Sequence, residues 1–212
     1  MKPKIDYTLY LVTDRELMAA DQIETCVEQA ILGGCTVVQL REKTASTREF
    51  YQTALRVKEI TTRLGVPLII NDRVDVAIAV DAEGVHIGQT DLPYEAVRRM
   101  VGREKLVGVS ASNLQEALMA AAMGADYLGI GAMFQTGTKT DANLTSMDEL
   151  RQIRGKIDLP LVVIGGITKK TLPQFQGIAI DGIAVVSAIV AQADAAGAAR
   201  DLKALFQTHA CR

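Results

Sequence analysis

Residues 159–189 read LPLVVIGGITKKTLPQFQGIAIDGIAVVSAI. Their two apolar centres, LVVI and IAVV, show no polar alternation. Such runs suit parallel strands whose two faces are both covered. The first run ends in Gly165-Gly166 and the second in Ser187, where a helical pattern begins. Working outward toward the N-terminus, the same kind of run recurs as ADYLGIG, KLVGVS, GVHIG, VPLIIN, CTVVQL and YTLYLVT. Helical patterns separate them. Ile23, Cys26, Val27, Ala30 and Ile31 make one apolar stripe. Ser46 and Glu49 have the spacing of a capping box, and Phe50, Ala54, Val57, Thr61 and Leu64 continue one face behind them. Asn113 and Glu116 open another helix, and AIVAQADAAGAARDLKALF closes the series. About eight strand–helix units in about 200 residues is the economy of a (β/α)8 TIM barrel. An open doubly wound sheet is the competing architecture, but no G-x-G-x-x-G follows the first strand. The expected fold is therefore α/β, a single TIM-barrel domain over residues 1–212.

The totals narrow the function. The 212 residues are 49% hydrophobic, 23% charged and 4% aromatic, with no Trp. Net charge is -2, from 23 basic and 25 acidic residues, so no overall field favours nucleic acid or an anionic membrane. Cys26, Cys35 and Cys211 have no metal-ligand spacing and are expected to be reduced thiols. The N-terminal apolar run is short, lacks a small-residue cleavage site and is broken by Asp14, Arg15 and Glu16. The expected location is the cytoplasm. Nucleic acid and membrane are therefore not expected partners, and assembly into a homo-oligomer stays open.

In such barrels chemistry lies at the C-terminal ends of the strands. The polar residues there are Gln39, Arg41 and Lys43; Asn71 and Asp72; His86, Gln89 and Asp91; Ser110; Thr136, Thr138 and Lys139; Gly165 and Gly166; and Ser187. In VVQLREKT, Gln39, Arg41 and Lys43 occupy every second position and so share one face. Either they are solvated where the chain leaves the core, or an anion sits beyond them. Asp72 and Asp91 add hard carboxylates beside those cations, a set suited to Mg2+ and a pyrophosphate. The same two residues could instead cap the helices that follow. Gly165-Gly166 and the helix start at Ser187 offer backbone N–H groups to a second phosphate, although glycines also serve tight turns. His86 reads as a hydrogen-bonded structural residue. No cysteine or serine has a visible base partner.

These residues, in this order, resemble the thiamine phosphate synthase family. The matching pieces are LYLVTDR, QLREK, INDR-x-D-x-A, GVHIGQTD, VGVSAS, ADYLGIGAMFQTGTK, VVIGGI and DGIAVVSAI. The resemblance implies a transferase joining a hydroxymethylpyrimidine pyrophosphate to a thiazole phosphate, plain or carboxylated, with Mg2+ as cofactor. It implies that Gln39, Leu40, Arg41, Glu42, Lys43, Asn71, Ser110 and Lys139 bind the pyrimidine substrate. Of these, Arg41, Lys43, Lys139 and Ser110 would carry catalysis. Asp72 and Asp91 would ligate Mg2+, and Thr136, Gly137, Thr138, Gly166, Val186 and Ser187 would hold the thiazole phosphate. Two places depart from the pattern. Ser112 stands where relatives often have His, and TDANLTSMDEL lacks a glycine frequent before the sixth helix. A related thiazole tautomerase would use that His and needs no pyrophosphate set. A sugar-phosphate epimerase would need paired acid/base residues, which are not found. A non-catalytic ligand-binding relative is the remaining rival.

Overall fold

The computed structural model describes residue 2 and residues 4–18, 23–136 and 144–209. Each of the eight apolar runs supplies one strand: β1 Leu9–Val12, β2 Val37–Leu40, β3 Leu68–Asn71, β4 Gly84–Ile87, β5 Leu106–Ala111, β6 Tyr127–Ile130, β7 Leu161–Ile164 and β8 Gly182–Val185. They pair in parallel and in chain order, and β8 pairs with β1 to close the barrel. Closure removes every sheet edge, so no strand is left as a template for another chain.

Alternation along the strands divides the apolar residues into two layers. Tyr10, Val12, Val37, Ile69, Leu106, Tyr127, Val162 and Ala184 fill the barrel with Tyr7. Leu9, Leu11, Val38, Leu40, Ile70, Val85, Val107, Leu128, Val163 and Ile183 point outward and pack under the helices. Both faces are thus buried, which is why the runs lack polar alternation.

The helices are α1 Ile23–Leu32, α2 Thr47–Arg63, α3 Val74–Ala79, α4 Tyr94–Val101, α5 Leu114–Met123, α6 Met147–Arg154, α7 Ser187–Val190 and α8 Ala195–His209. At the start of α2, Ser46 Oγ accepts from Glu49 N while Ser46 N donates to Glu49 Oε2, the expected capping box. Asn113 caps α5, and Gly124 ends it in the left-handed region. One crossover differs from expectation. Between β7 and β8 the described chain forms a four-residue 3-10 turn, Leu172–Phe175, with a proline in its first turn, instead of an α-helix. Pro173 and Gly177 leave too little uninterrupted chain for more. The alanine-rich tail also divides, into α7 and α8.

Candidate functional site

The C-terminal ends of the strands surround a cavity of about 480 Å³, within the roughly 300–1,000 Å³ usual for small ligands. Its lining includes Gln39, Arg41, Lys43, Asn71, Asp72, His86, Gln89, Asp91, Ser110 and Thr136, and on the far side Gly165, Gly166, Val186 and Ser187. The strand order sets this arrangement. Residues after β2, β3 and β4 form one wall, and those after β7 and β8 face them across the barrel.

The alternation read in VVQLREKT holds beyond the end of β2. Gln39, Arg41 and Lys43 reach the cavity. The side chains of Leu40 and Glu42 do not. Leu40 is fully buried in the outer layer. Glu42 is buried too, and its carboxylate is taken by Arg15, through Nε at 3.0 and 2.9 Å and Nη2 at 2.6 Å. Gly137, Thr138 and Lys139 lie outside the described residues.

Asp72 and Asp91 do not cap helices. Asp72 Oδ2 accepts from Lys43 Nζ at 2.6 Å, and the helix after it has no side-chain cap. Asp91 Oδ2 accepts from Gly88 N at 2.7 Å, while α4 begins after Pro93, again without a side-chain cap. Burial, and then the neighbouring Asp72 carboxylate, push the Asp91 acid above the usual carboxylate range against the opposing Gly88 N–H and Lys43. A carboxylate that raises its neighbour's cost of ionisation makes a place where a cation is favoured. Among the described residues no third acidic, cysteine or histidine side chain joins them. Phosphate oxygens and water commonly complete a carboxylate set of this kind around Mg2+.

The floor carries a feature that the sequence did not announce. Gln39 Nε2 donates to Tyr10 Oη at 3.0 Å; Tyr10 and Tyr127 hydroxyls lie 2.7 Å apart; Tyr127 Oη is 3.0 Å from His86 Nδ1; and His86 Nε2 is 2.9 Å from Ser110 Oγ. Each hydroxyl donates once. With Gln39 as donor, satisfaction runs the protons one way: Tyr10 to Tyr127, Tyr127 to Nδ1, and the Nε2 proton to Ser110. Ser110 accepts from the floor and keeps its own proton for a ligand. Tyr10 and Tyr127 could have been found by counting in steps of two along β1 and β6, which places both rings inside the barrel.

Burial depresses the His86 pKa to about 4, with Asp91 only partly opposing it. The ring is neutral at physiological pH and is no ready proton carrier. Unfolded, it would titrate near its ordinary 6.5. Between those values the unfolded chain binds more protons. Stability that is fully present above pH 6.5 is therefore lost as pH falls toward 4, by about 3 kcal/mol from this group. Thermal unfolding across that window should show a flatter pH profile for His86→Asn than for the unaltered protein. Identical slopes would refute the assignment.

The remaining expectations fall into place around this centre. Gly165 and Gly166 have φ of +95° and +64°, so they form the tight turn and also line the cavity. Ser112, at the cavity edge, donates through N and Oγ to Glu116 Oε2 at 2.7 and 3.0 Å. Cys26 and Cys35 are free thiols; burial pushes Cys35 up to about 12, which excludes a thiolate nucleophile there at neutral pH.

Comparison with known proteins gives concordant results. A family profile described as thiamine monophosphate synthase matches residues 9–189. A thiamine-phosphate synthase of Clostridium beijerinckii is 59% identical over 206 residues, covering 97% of this chain and 99% of the relative. Among solved structures, a thiamine phosphate pyrophosphorylase from Pyrococcus furiosus superposes with a TM-score of 0.88 at 36% identity, covering 96% of each chain. A 3-hexulose-6-phosphate synthase from Salmonella typhimurium, at TM-score 0.70 and 19% identity over 95% of this chain and 99% of that one, shares the fold alone.

Proposed function

We infer, from the premise that this chain belongs to the thiamine monophosphate synthase family, that it is a transferase joining a hydroxymethylpyrimidine pyrophosphate to a thiazole phosphate. The products are thiamine phosphate and pyrophosphate. One observation supports the residue roles above all others. Gln39, Arg41, Lys43, Asn71, Asp72 and Asp91 line one wall of a single cavity, and Gly166, Val186 and Ser187 line the opposite wall. Two phosphorylated substrates can thus be held at opposite walls with their reacting ends meeting between them.

Carbon–oxygen cleavage at the pyrimidine methylene leaves a cation that the electron-rich ring stabilises. The protein's task is then to receive the departing negative charge. Arg41 and Lys43 do so electrostatically, and such fixed groups act best where water is excluded. Asn71 and the Ser110 hydroxyl orient the substrate, with Ser110 held from below by His86. Mg2+, when bound, supplies Lewis-acid neutralisation of diphosphate oxygens; Asp72 and Asp91 are the residues that would hold it. The thiazole nitrogen is already a nucleophile and needs no proton removed. That accords with a cavity whose histidine has both ring nitrogens engaged by Tyr127 and Ser110. Thr136, and Gly137, Thr138 and Lys139 outside the described residues, belong to this proposal through the family pattern. Among the described residues no helix is long and apolar enough to cross a membrane, and the cytoplasm is the proposed compartment.

The direct test mixes purified protein, both phosphorylated halves and Mg2+, and measures thiamine phosphate. Its appearance, and its loss in Arg41→Ala, are expected. A binding test addresses the metal. Lys43 Nζ pairs with Asp72 Oδ2; were Asp72 to hold a divalent ion instead, the ammonium would be available to phosphate. Titration calorimetry should show pyrophosphate binding at least about tenfold more tightly with Mg2+ than without, a typical size for coupling between two ligands. Equal affinities would rule out the Asp72–Asp91 reading.

A further inference from the structure

We propose that Asp14, in the loop after β1, is a positioning residue for Arg41. The inference rests on the reading that Arg41 receives the diphosphate. LYLVTDR was among the pieces that matched the family, yet the proposed function gives Asp14 and Arg15 no part.

The two loops exchange opposite charges crosswise. Asp14 Oδ2 accepts from Arg41 Nη1 at 2.8 Å, and next to it Arg15 grips Glu42. Asp14 is itself fixed, because its Oδ1 accepts from Glu16 N at 3.1 Å as the cap of a 3-10 turn over Arg15–Leu17. The Glu42 side chain is only 1% exposed. A carboxylate so deeply buried demands its partner, so Arg15 locks the first loop to the second. Backbone bonds reinforce the lock: Thr13 N donates to Gln39 O, and Arg41 N donates to Thr13 Oγ1, each at 3.0 Å.

The consequence falls on Arg41. A free arginine samples many rotamers, and ordering it on binding costs affinity. Asp14 occupies one amino group of the guanidinium, whose five N–H donors leave several for an anion in the cavity that Arg41 lines. Arg41 is thereby set in place before the ligand arrives. Asp14 also places a negative charge near the proposed diphosphate, which on Coulomb grounds alone weakens binding. The two effects have opposite signs, and removing Asp14 separates them.

The experiment uses the full chain and inorganic pyrophosphate with Mg2+, titrated into the unaltered protein, Asp14→Asn, Asp14→Ser, Arg41→Ala and each double variant. Serine keeps the cap on Glu16 N, so Asp14→Ser should fold even if Asp14→Asn proves unstable. Each Asp14 variant should weaken pyrophosphate binding by about tenfold, the lower end of the cost of disturbing a supporting contact. In the Arg41→Ala background neither change should weaken binding further, and loss of the Asp14 charge should if anything tighten it. Tighter or unaltered binding in the single Asp14 variants, or losses that add to that of Arg41→Ala, would overturn the proposal. Unaltered binding in Arg41→Ala alone would instead strike at the underlying reading of Arg41, and this inference would fall with it.

Discussion

Asp72→Asn should slow thiamine phosphate formation by about a hundredfold or more at saturating Mg2+, while moving the thermal midpoint by no more than a few degrees. The two expectations have separate origins. Asp72 sits at φ +60°, a region that Asn and Asp tolerate far better than other non-glycine residues. Its N–H donates to His86 O at 2.9 Å, and its carbonyl accepts from Val74 N at 3.1 Å. Asparagine keeps all of this, whereas Asp72→Ala would add backbone strain of about 1–2 kcal/mol and blur the result. What Asn removes is the negative charge that pairs with Lys43 and that a divalent ion would need. Steady-state kinetics with both substrates decides the matter. A rate within threefold of the unaltered protein would leave Asp72 without a role in the chemistry.

A large stability effect is expected at Gly108. In the β5–β6 register Gly108 lies opposite Tyr127, and the tyrosine ring lies across it. A Cβ added at Gly108 would stand 2.1 Å from Tyr127 Cζ and 2.4 Å from its hydroxyl oxygen. Tyr127 is fully buried, so the ring has nowhere to retreat. Overpacking of this kind costs about 1–3 kcal/mol. Moving the ring also breaks its hydrogen bonds to Tyr10 and His86, and each buried group left unsatisfied costs about 1–3 kcal/mol more. Gly108→Ala should therefore lose roughly 3–5 kcal/mol, a fall of about 10 °C in the midpoint for a domain of this size. A shift under 2 °C in a calorimetric scan would show that the ring is not held there. Tyr127→Phe, which removes only the hydroxyl, should fall between the two and also release His86 from its fixed orientation beneath Ser110.

Strand positions were legible because burial on both faces leaves an unmistakable mark: LVVI and IAVV have no polar alternation, and each became a strand. Ser46 and Asn113 were legible because capping is local chemistry at fixed spacing. The crossover after β7 was less so, since Thr168–Gly177 had to be judged by default from its neighbours. Within the site, residues at strand ends were found because topology brings them together. Leu40 and Glu42 alternate with Gln39 and Arg41, and the two-residue period sends their side chains to the other face. Tyr10 and Tyr127 read as packing in their apolar runs; steps of two place both rings inside the barrel, but the approach of their hydroxyls is set by the fold. The same holds for Asp14, whose partner lies 27 positions away.

The line of groups beneath the cavity carries no formal charge near neutrality: an amide, two phenols held above their ordinary range by burial, and an imidazole held below its own. A ring resting on it meets only dipoles. If, as proposed, a pyrimidine ring rests there with its diphosphate at the rim, positive charge developing on it would face its counter-ion on one side alone.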